Sequence, residues 1–156
     1  VGISLVMLVV AAMLLAQLHG VRVTWLLVTK QCPGCDLRQA ELSGADLRHA
    51  NLRAANLQAA NLSEANLKGS DLDGVSLQNS HLSLTNLSGA NLTRANLHQA
   101  ELSGASLIDA NLAGANLQQA SLLFADLERA NLSNTNLHQA ELYGINPSVS
   151  ELQSGH

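Results

Sequence analysis

Two cysteines stand three positions apart in the run Cys32-Pro33-Gly34-Cys35, the stretch of this 156-residue chain with the residue types for redox or metal chemistry. A C-x-x-C pair can serve thiol–disulfide exchange, metal binding or a structural crosslink. Structural zinc needs four protein ligands, and no second cysteine pair is present. Covalent haem attachment needs a histidine directly after the second cysteine, where Asp36 stands. Spacing alone does not choose between redox exchange and a crosslink. Carboxylates are the other candidates: Asp36, Glu41, Asp46, Asp71, Glu101, Asp126 and Glu141 each directly precede a leucine. No Gly-rich phosphate loop and no nucleophile elbow accompanies them.

The elements that must position these groups are unusual in composition. The chain is 47% hydrophobic, yet it has three aromatic residues (Trp25, Phe124, Tyr143) and only 13% charged residues, about half the usual charged share. The length allows one domain. An ordinary mixed core is excluded by the missing aromatics, and disorder by the hydrophobicity. A net charge of −4 with eight Lys and Arg leaves no basic footprint, so no direct contact with nucleic acid is expected.

Residues 1–21 contain no Lys, Arg, Asp or Glu, and residues 1–16 are apolar apart from Gly2 and Ser4. That run predicts a hydrophobic helix over residues 1–20, either a signal peptide or a membrane anchor. The exit, Ala16-Gln17-Leu18-His19-Gly20, has no small-x-small cleavage site, and no positive residue precedes the run. Residues 21–34 then read as a capping or linker segment that carries the cysteines. Its group Trp25, Leu26, Leu27 and Val28 is expected to cover the open end of the element beyond it, with membrane-interface anchoring by Trp25 and Lys30 as the alternative.

From Leu37 to Leu142 a leucine recurs at every fifth position, 22 in succession, and the residue two before it is Ala in 16 of them. Asn or Asp predominates at the position between, as in Ala55-Asn56-Leu57 and Ala90-Asn91-Leu92. An α-helix turns about 100° per residue, so a five-residue step scatters the leucines around the cylinder. In a continuous strand an odd step sends alternate leucines to opposite faces. A coil that bends after each unit is what remains, with every leucine on one axis.

The unit A-(N/D)-L-x-x resembles the pentapeptide-repeat proteins over about 110 residues. The resemblance implies an all-β fold: a right-handed quadrilateral β-helix over residues 35–146, with four units per coil, about five and a half coils and a tail at 147–156. It also implies that the leucine and the small residue two before it point inward. Cys35 then occupies an inward slot, which favours a structural pair of Cys32 and Cys35, oxidised if the chain is exported. Ser70, Val75, Ser80 and Thr85 replace Ala over one full coil, a more polar layer. Residues 26–37, LLVTKQCPGCDL, resemble the segment before the repeats in exported cyanobacterial members, which implies the periplasm or thylakoid lumen, or anchoring through residues 1–18.

Positions twenty apart stack into columns. Face one carries the units of Leu37, Leu57, Leu77, Leu97, Leu117 and Leu137, whose outward residues form a stripe of amides and imidazoles. His98 and His138 lie two coils apart, about 10 Å, too far to share a metal, and no metal or cofactor is expected. Face two carries the units of Leu42, Leu62, Leu82, Leu102, Leu122 and Leu142; its outward Leu84, Leu123, Phe124 and Tyr143 make an apolar patch on a chain poor in such residues. With Ile145, the residues Leu123, Phe124 and Tyr143 are the candidate interface, which would join two copies at the C-terminal end. The carboxylates spread around the shaft without converging in a cleft, and a filled shaft has no pocket of enzyme size.

These features point to a non-enzymatic structural or protein-interaction module, exported or membrane-anchored, its protein partner unnamed by any residue. The alternative comes from the resemblance, since some members resemble duplex DNA and bind DNA gyrase. B-DNA carries about 15 charges over a shaft of about 26 Å. Residues 36–146 carry 11 acidic and six basic side chains. Such a mimic is about threefold too weakly charged.

Overall fold

The computed structural model describes residues 19–146. The apolar run expected to be a signal peptide or anchor, and the tail from 147, lie outside the described residues. Among these residues one helix, α1 (His19–Thr29), precedes the repeats. No helix among the described residues is long and apolar enough to cross a membrane.

Helix α1 ends at Lys30, whose φ of 59° is left-handed and whose N–H donates to Leu26 O at 2.8 Å. This bond closes the last helical turn. Lys30 O then accepts the Asn51 N–H at 2.8 Å, so the helix passes directly into the first coil. Leu26 is fully buried and Val23 packs against the same core. The apolar group expected to cover the end does so only in part, because Trp25, Leu27 and Val28 are exposed. The helical period is the reason: residues 23 and 26 share the side facing the shaft, while Val21, Trp25 and Val28 share another. Lys30 Nζ donates to Asp46 O on the shaft.

The shaft is a quadrilateral β-helix. Nineteen parallel bridges, from Gln31–Asn51 to Ser121–Glu141, each link residues twenty apart. A coil is therefore four units, and each side of the square contributes one bridge per coil. The ladder opens earlier than the leucine column predicts, because Cys32 is buried in the slot that leucine holds elsewhere. With that unit the shaft has 23 units.

The repeat satisfies its own backbone, as the unit around Leu92 illustrates. Leu92 and Arg94 donate to the next coil, at Asn111 O (2.7 Å) and Ala113 O (3.0 Å). Asn96 donates to the previous coil at Val75 O (2.9 Å), and Ala95 closes the turn onto Leu92 O (3.0 Å). The fifth N–H, of Thr93, donates to Asn91 Oδ1 at 3.2 Å. Asn and Asp recur before the leucine because their short side chain takes the one amide that the ladder leaves over.

Each corner has its third residue in the left-handed region, from Gly34 to Gly144. Positive φ at that position alone is the type II pattern, which Pro33 and Gly34 suit. Most corners use other residues, Leu84 and Phe124 among them. In the polar layer, Ser80 Oγ donates to Leu77 O (2.7 Å) and Thr85 Oγ1 to Leu62 O (2.8 Å), whereas the buried Ser70 Oγ has no partner.

Candidate functional site

Cys32 and Cys35 are joined by a disulfide with a Cα–Cα distance of 5.4 Å. Their positions explain the fit: Cys32 holds a leucine slot, Cys35 an alanine slot, and Cys35 N–H donates to Cys32 O at 3.3 Å, the bond that closes the other corners up to Ala140. The corner thus brings the two side chains together inside the first coil, with Cys32 buried and Cys35 half-buried. Such a pair crosslinks a turn and offers no accessible thiol for exchange. Among the described residues no group of His, Cys, Asp or Glu is placed to hold a metal ion.

The charged side chains are less dispersed than their positions in sequence suggest. Asp73, absent from the carboxylates that precede a leucine, is 7% exposed and lies between two guanidinium groups, Arg53 at 2.7 Å and Arg94 at 2.7 Å. Asp71 joins through Arg53 at 3.2 Å and through Asn91. Here two carboxylates converge, onto arginines in a closed ion-pair network. The sequence signal for it is the column arithmetic, since Arg53 lies twenty positions before Asp73 and Arg94 twenty-one after. Elsewhere Arg38 clasps Asp36, Arg48 clasps Asp46, and Arg129 holds Asp109 and Glu128. The hydrogen bonds from these arginines hold the carboxyls of Asp36, Asp46 and Asp109 below the usual carboxylate range.

Face one is a bonded ladder. Gln99, Gln119 and Gln139 link in series at 3.3 and 2.9 Å, as do Asn96, Asn116 and Asn136 at 3.3 and 3.2 Å. His98 Nδ1 meets Gln118 O at 3.1 Å. On face two Leu84 and Phe124 are each 64% exposed and Tyr143 is 75% exposed. Phe124 and Tyr143 meet edge to face with ring centroids 5.6 Å apart. Leu123 beside them is half-buried, and Ile145 turns inward to pack against the end of the core. The structure therefore groups Leu123, Phe124 and Tyr143 on the side of the shaft and sets Ile145 apart at its end.

The twenty-residue coil and its inward Leu-Ala pairs coincide with a family model. The model for pentapeptide repeats (8 copies) matches residues 32–69, 70–107 and 110–146. The chain belongs to the pentapeptide repeat family. Members form right-handed β-helices. Among solved structures, the chain is similar to the pentapeptide repeat protein Rfr23 from the cyanobacterium Cyanothece 51142, with 34% identity and a TM-score of 0.59 over 81% of this chain and 94% of that one. It is also similar to the pentapeptide repeat protein alr5209 from Nostoc PCC 7120, with 28% identity and a TM-score of 0.55 over 80% of this chain and 92% of that one. A pentapeptide repeat protein of the Arabidopsis thaliana thylakoid lumen shares 31% identity over 60% of this chain and 69% of that one, at a TM-score of 0.49. No curated protein matches the chain.

Within this pentapeptide repeat protein, one side departs from the use of Asn or Asp to take the leftover amide. Face two has Glu41, His81, Glu101, Ser121 and Glu141 where the other faces mostly have Asn or Asp, and only Asn61 keeps the pattern. Ser63 N–H accordingly reaches Asn61 Oδ1 at 3.2 Å. The N–H groups of Ser43, Ser83, Ser103, Leu123 and Tyr143 have no acceptor among the described residues.

Proposed function

We propose that this pentapeptide repeat protein is a non-enzymatic display rod, exported or held at a membrane through its N-terminal segment, whose outer faces bind a protein partner. The observation that carries the reading is the axis. The inward leucines fill it from Leu37 to Leu127 at 2% exposure or less, so chemistry or recognition is left to the outside of the shaft. Export is supported by the apolar run of residues 1–16 and by the paired cysteines, since disulfides persist in oxidising compartments. Membrane contact is supported by the exposed Val21, Trp25 and Val28, which share one side of α1.

The C-terminal homodimer belongs to the same reading. In the last coil the N–H groups of Leu127, Leu132, Leu137 and Leu142 have no ladder partner among the described residues, and a second copy would pair them. A dimer that sediments as a monomer after Ile145→Asp supports it, and a monomeric parent refutes it.

The address is tested by fractionating bacteria that express the full chain, with intact mass read before and after thiol alkylation. A processed or membrane-bound chain that takes up no alkylating agent supports the proposal. A soluble cytoplasmic chain with two alkylated thiols overturns it and turns attention to gyrase binding.

A further inference from the structure

We infer that face two is a docking surface for a basic, apolar-studded polypeptide segment. Three features coincide on that side of the shaft. The first is charge. Glu41, Glu64, Glu101 and Glu141 lie there with no Lys or Arg, whereas face one carries Asp36 with Arg38 and the face of Leu52, Leu72 and Leu92 balances Asp71 and Asp73 with Arg53 and Arg94. Every arginine of the shaft is clasped by an acid outside face two, so none is free to turn toward these glutamates. Glu41 and Glu141 are met only by Asn61 (3.0 Å) and Ser121 (3.0 Å), and Glu101 by His81 at 2.8 Å.

The second feature is the apolar ridge. Leu84 and Phe124 occupy the same corner column two coils apart, about 9.6 Å at the sheet spacing. Glycines stand in the corners that come next in that column: a Cβ at Gly104 would lie 2.8 Å from Leu84, and one at Gly144 would collide with the Phe124 ring. Each large side chain is laid over the next corner and held up as a ridge. The third feature is the set of unclaimed amides at Ser43, Ser83, Ser103, Leu123 and Tyr143. The other faces together leave two such amides, those of Gln78 and Ile108.

Carboxylates without a Lys or Arg partner, apolar side chains without cover and donors without acceptors define a partner by complement. It carries Lys or Arg, apolar side chains and acceptor oxygens. A second copy does not fit sideways, because it would set four more glutamates against these four. A helix offers the right spacing, since side chains seven residues apart rise about 10.5 Å.

This inference rests on the display-rod reading and names the chemistry of its partner. The test titrates the purified full chain into two fluorescent helical peptides, each with leucines seven residues apart. One is flanked by lysines and the other by glutamates. The lysine peptide is expected to bind at least about tenfold tighter, and to weaken as salt rises from about 50 to about 300 mM. Leu84→Asn and Glu101→Lys, both at exposed positions, are each expected to weaken it at least about fivefold, while Gln118→Ser on face one changes it less than about twofold. No binding, equal binding of both peptides, or indifference to Leu84→Asn and Glu101→Lys overturns the inference. Because purified protein is used, a cytoplasmic address would refute the display-rod reading without altering this result, and a failed titration would leave that reading with its other faces.

Discussion

Ser70→Ala is expected to stabilise the protein, although it removes a polar group from a polar layer. Ser70 is 1% exposed and its Oγ has no hydrogen-bond partner. Burying a hydroxyl without a partner costs about 1–3 kcal/mol, and the methyl side chain that replaces it is the one 16 other units already place in this slot. The void left by one oxygen returns a few tenths of a kcal/mol, at about 24 cal/mol per Å3 of cavity. The net gain is about 1 kcal/mol, roughly fivefold in the folding equilibrium. Ser80→Ala is the matched control. Its Oγ donates to Leu77 O at 2.7 Å, a carbonyl that also accepts the Ser80 N–H at 3.2 Å, so that substitution loses a bond worth about 1 kcal/mol. Two identical changes ten residues apart should move the urea midpoint in opposite directions at constant slope. A lower midpoint for Ser70→Ala, or equal shifts for the two variants, would refute the claim that the Ser70 hydroxyl is uncompensated.

Leu92→Arg puts a cation on the filled axis, where Leu92 is fully buried, and should abolish cooperative unfolding; retained cooperativity with unchanged β-type circular dichroism would refute the inward column. Cys32→Leu with Cys35→Ala restores the residues that other units carry. It should keep the circular dichroism and lose no more than about 2 kcal/mol, the chain entropy of so short a crosslinked loop; loss of the β signal would show that the bond is needed for folding. The folded pKa values of Asp36 and Asp46 are depressed by their arginines, so the unfolded chain binds protons first as pH falls. Their contribution to stability is complete above the unfolded value of about 3.9 and is lost as pH falls through the folded values. Carboxyl NMR at about pH 3 should find both still ionised, and midpoints near the unfolded value would sink the assignment.

The shaft is legible in the sequence because its rule is strictly periodic: one residue type at one spacing excludes helix and strand and leaves a bent coil. Cys32 escapes that rule because leucine, rather than position, marks the slot. The corners are illegible for a related reason. Only eight of the left-handed positions are glycine, so no single residue type marks them. The cap is half legible, since the expected apolar group is real but a helix can turn only some of its members toward the shaft. Asp73 and the unclaimed amides of face two are visible only when the chain is folded into columns and each unit's five N–H groups are traced to their acceptors.

What the fold requires is separable in this way from what it leaves free. Leucine, alanine and the preceding Asn or Asp are fixed by core, turn and leftover amide, and they would be present in a rod that did nothing. The two remaining outward positions carry no structural demand beyond tolerance of a left-handed corner. Face two departs from the rule even at the constrained position, where Glu41, His81, Glu101, Ser121 and Glu141 give up the amide bond that Asn91 makes for Thr93. Each such exchange costs the rod a hydrogen bond worth about 0.5–1.5 kcal/mol, and five of the seven exchanges fall on one side. Random drift among equivalent faces would spread them around the square. Their concentration beside the exposed Leu84, Phe124 and Tyr143 is what a surface shaped for a partner predicts, and it places the functional question on this side of the rod.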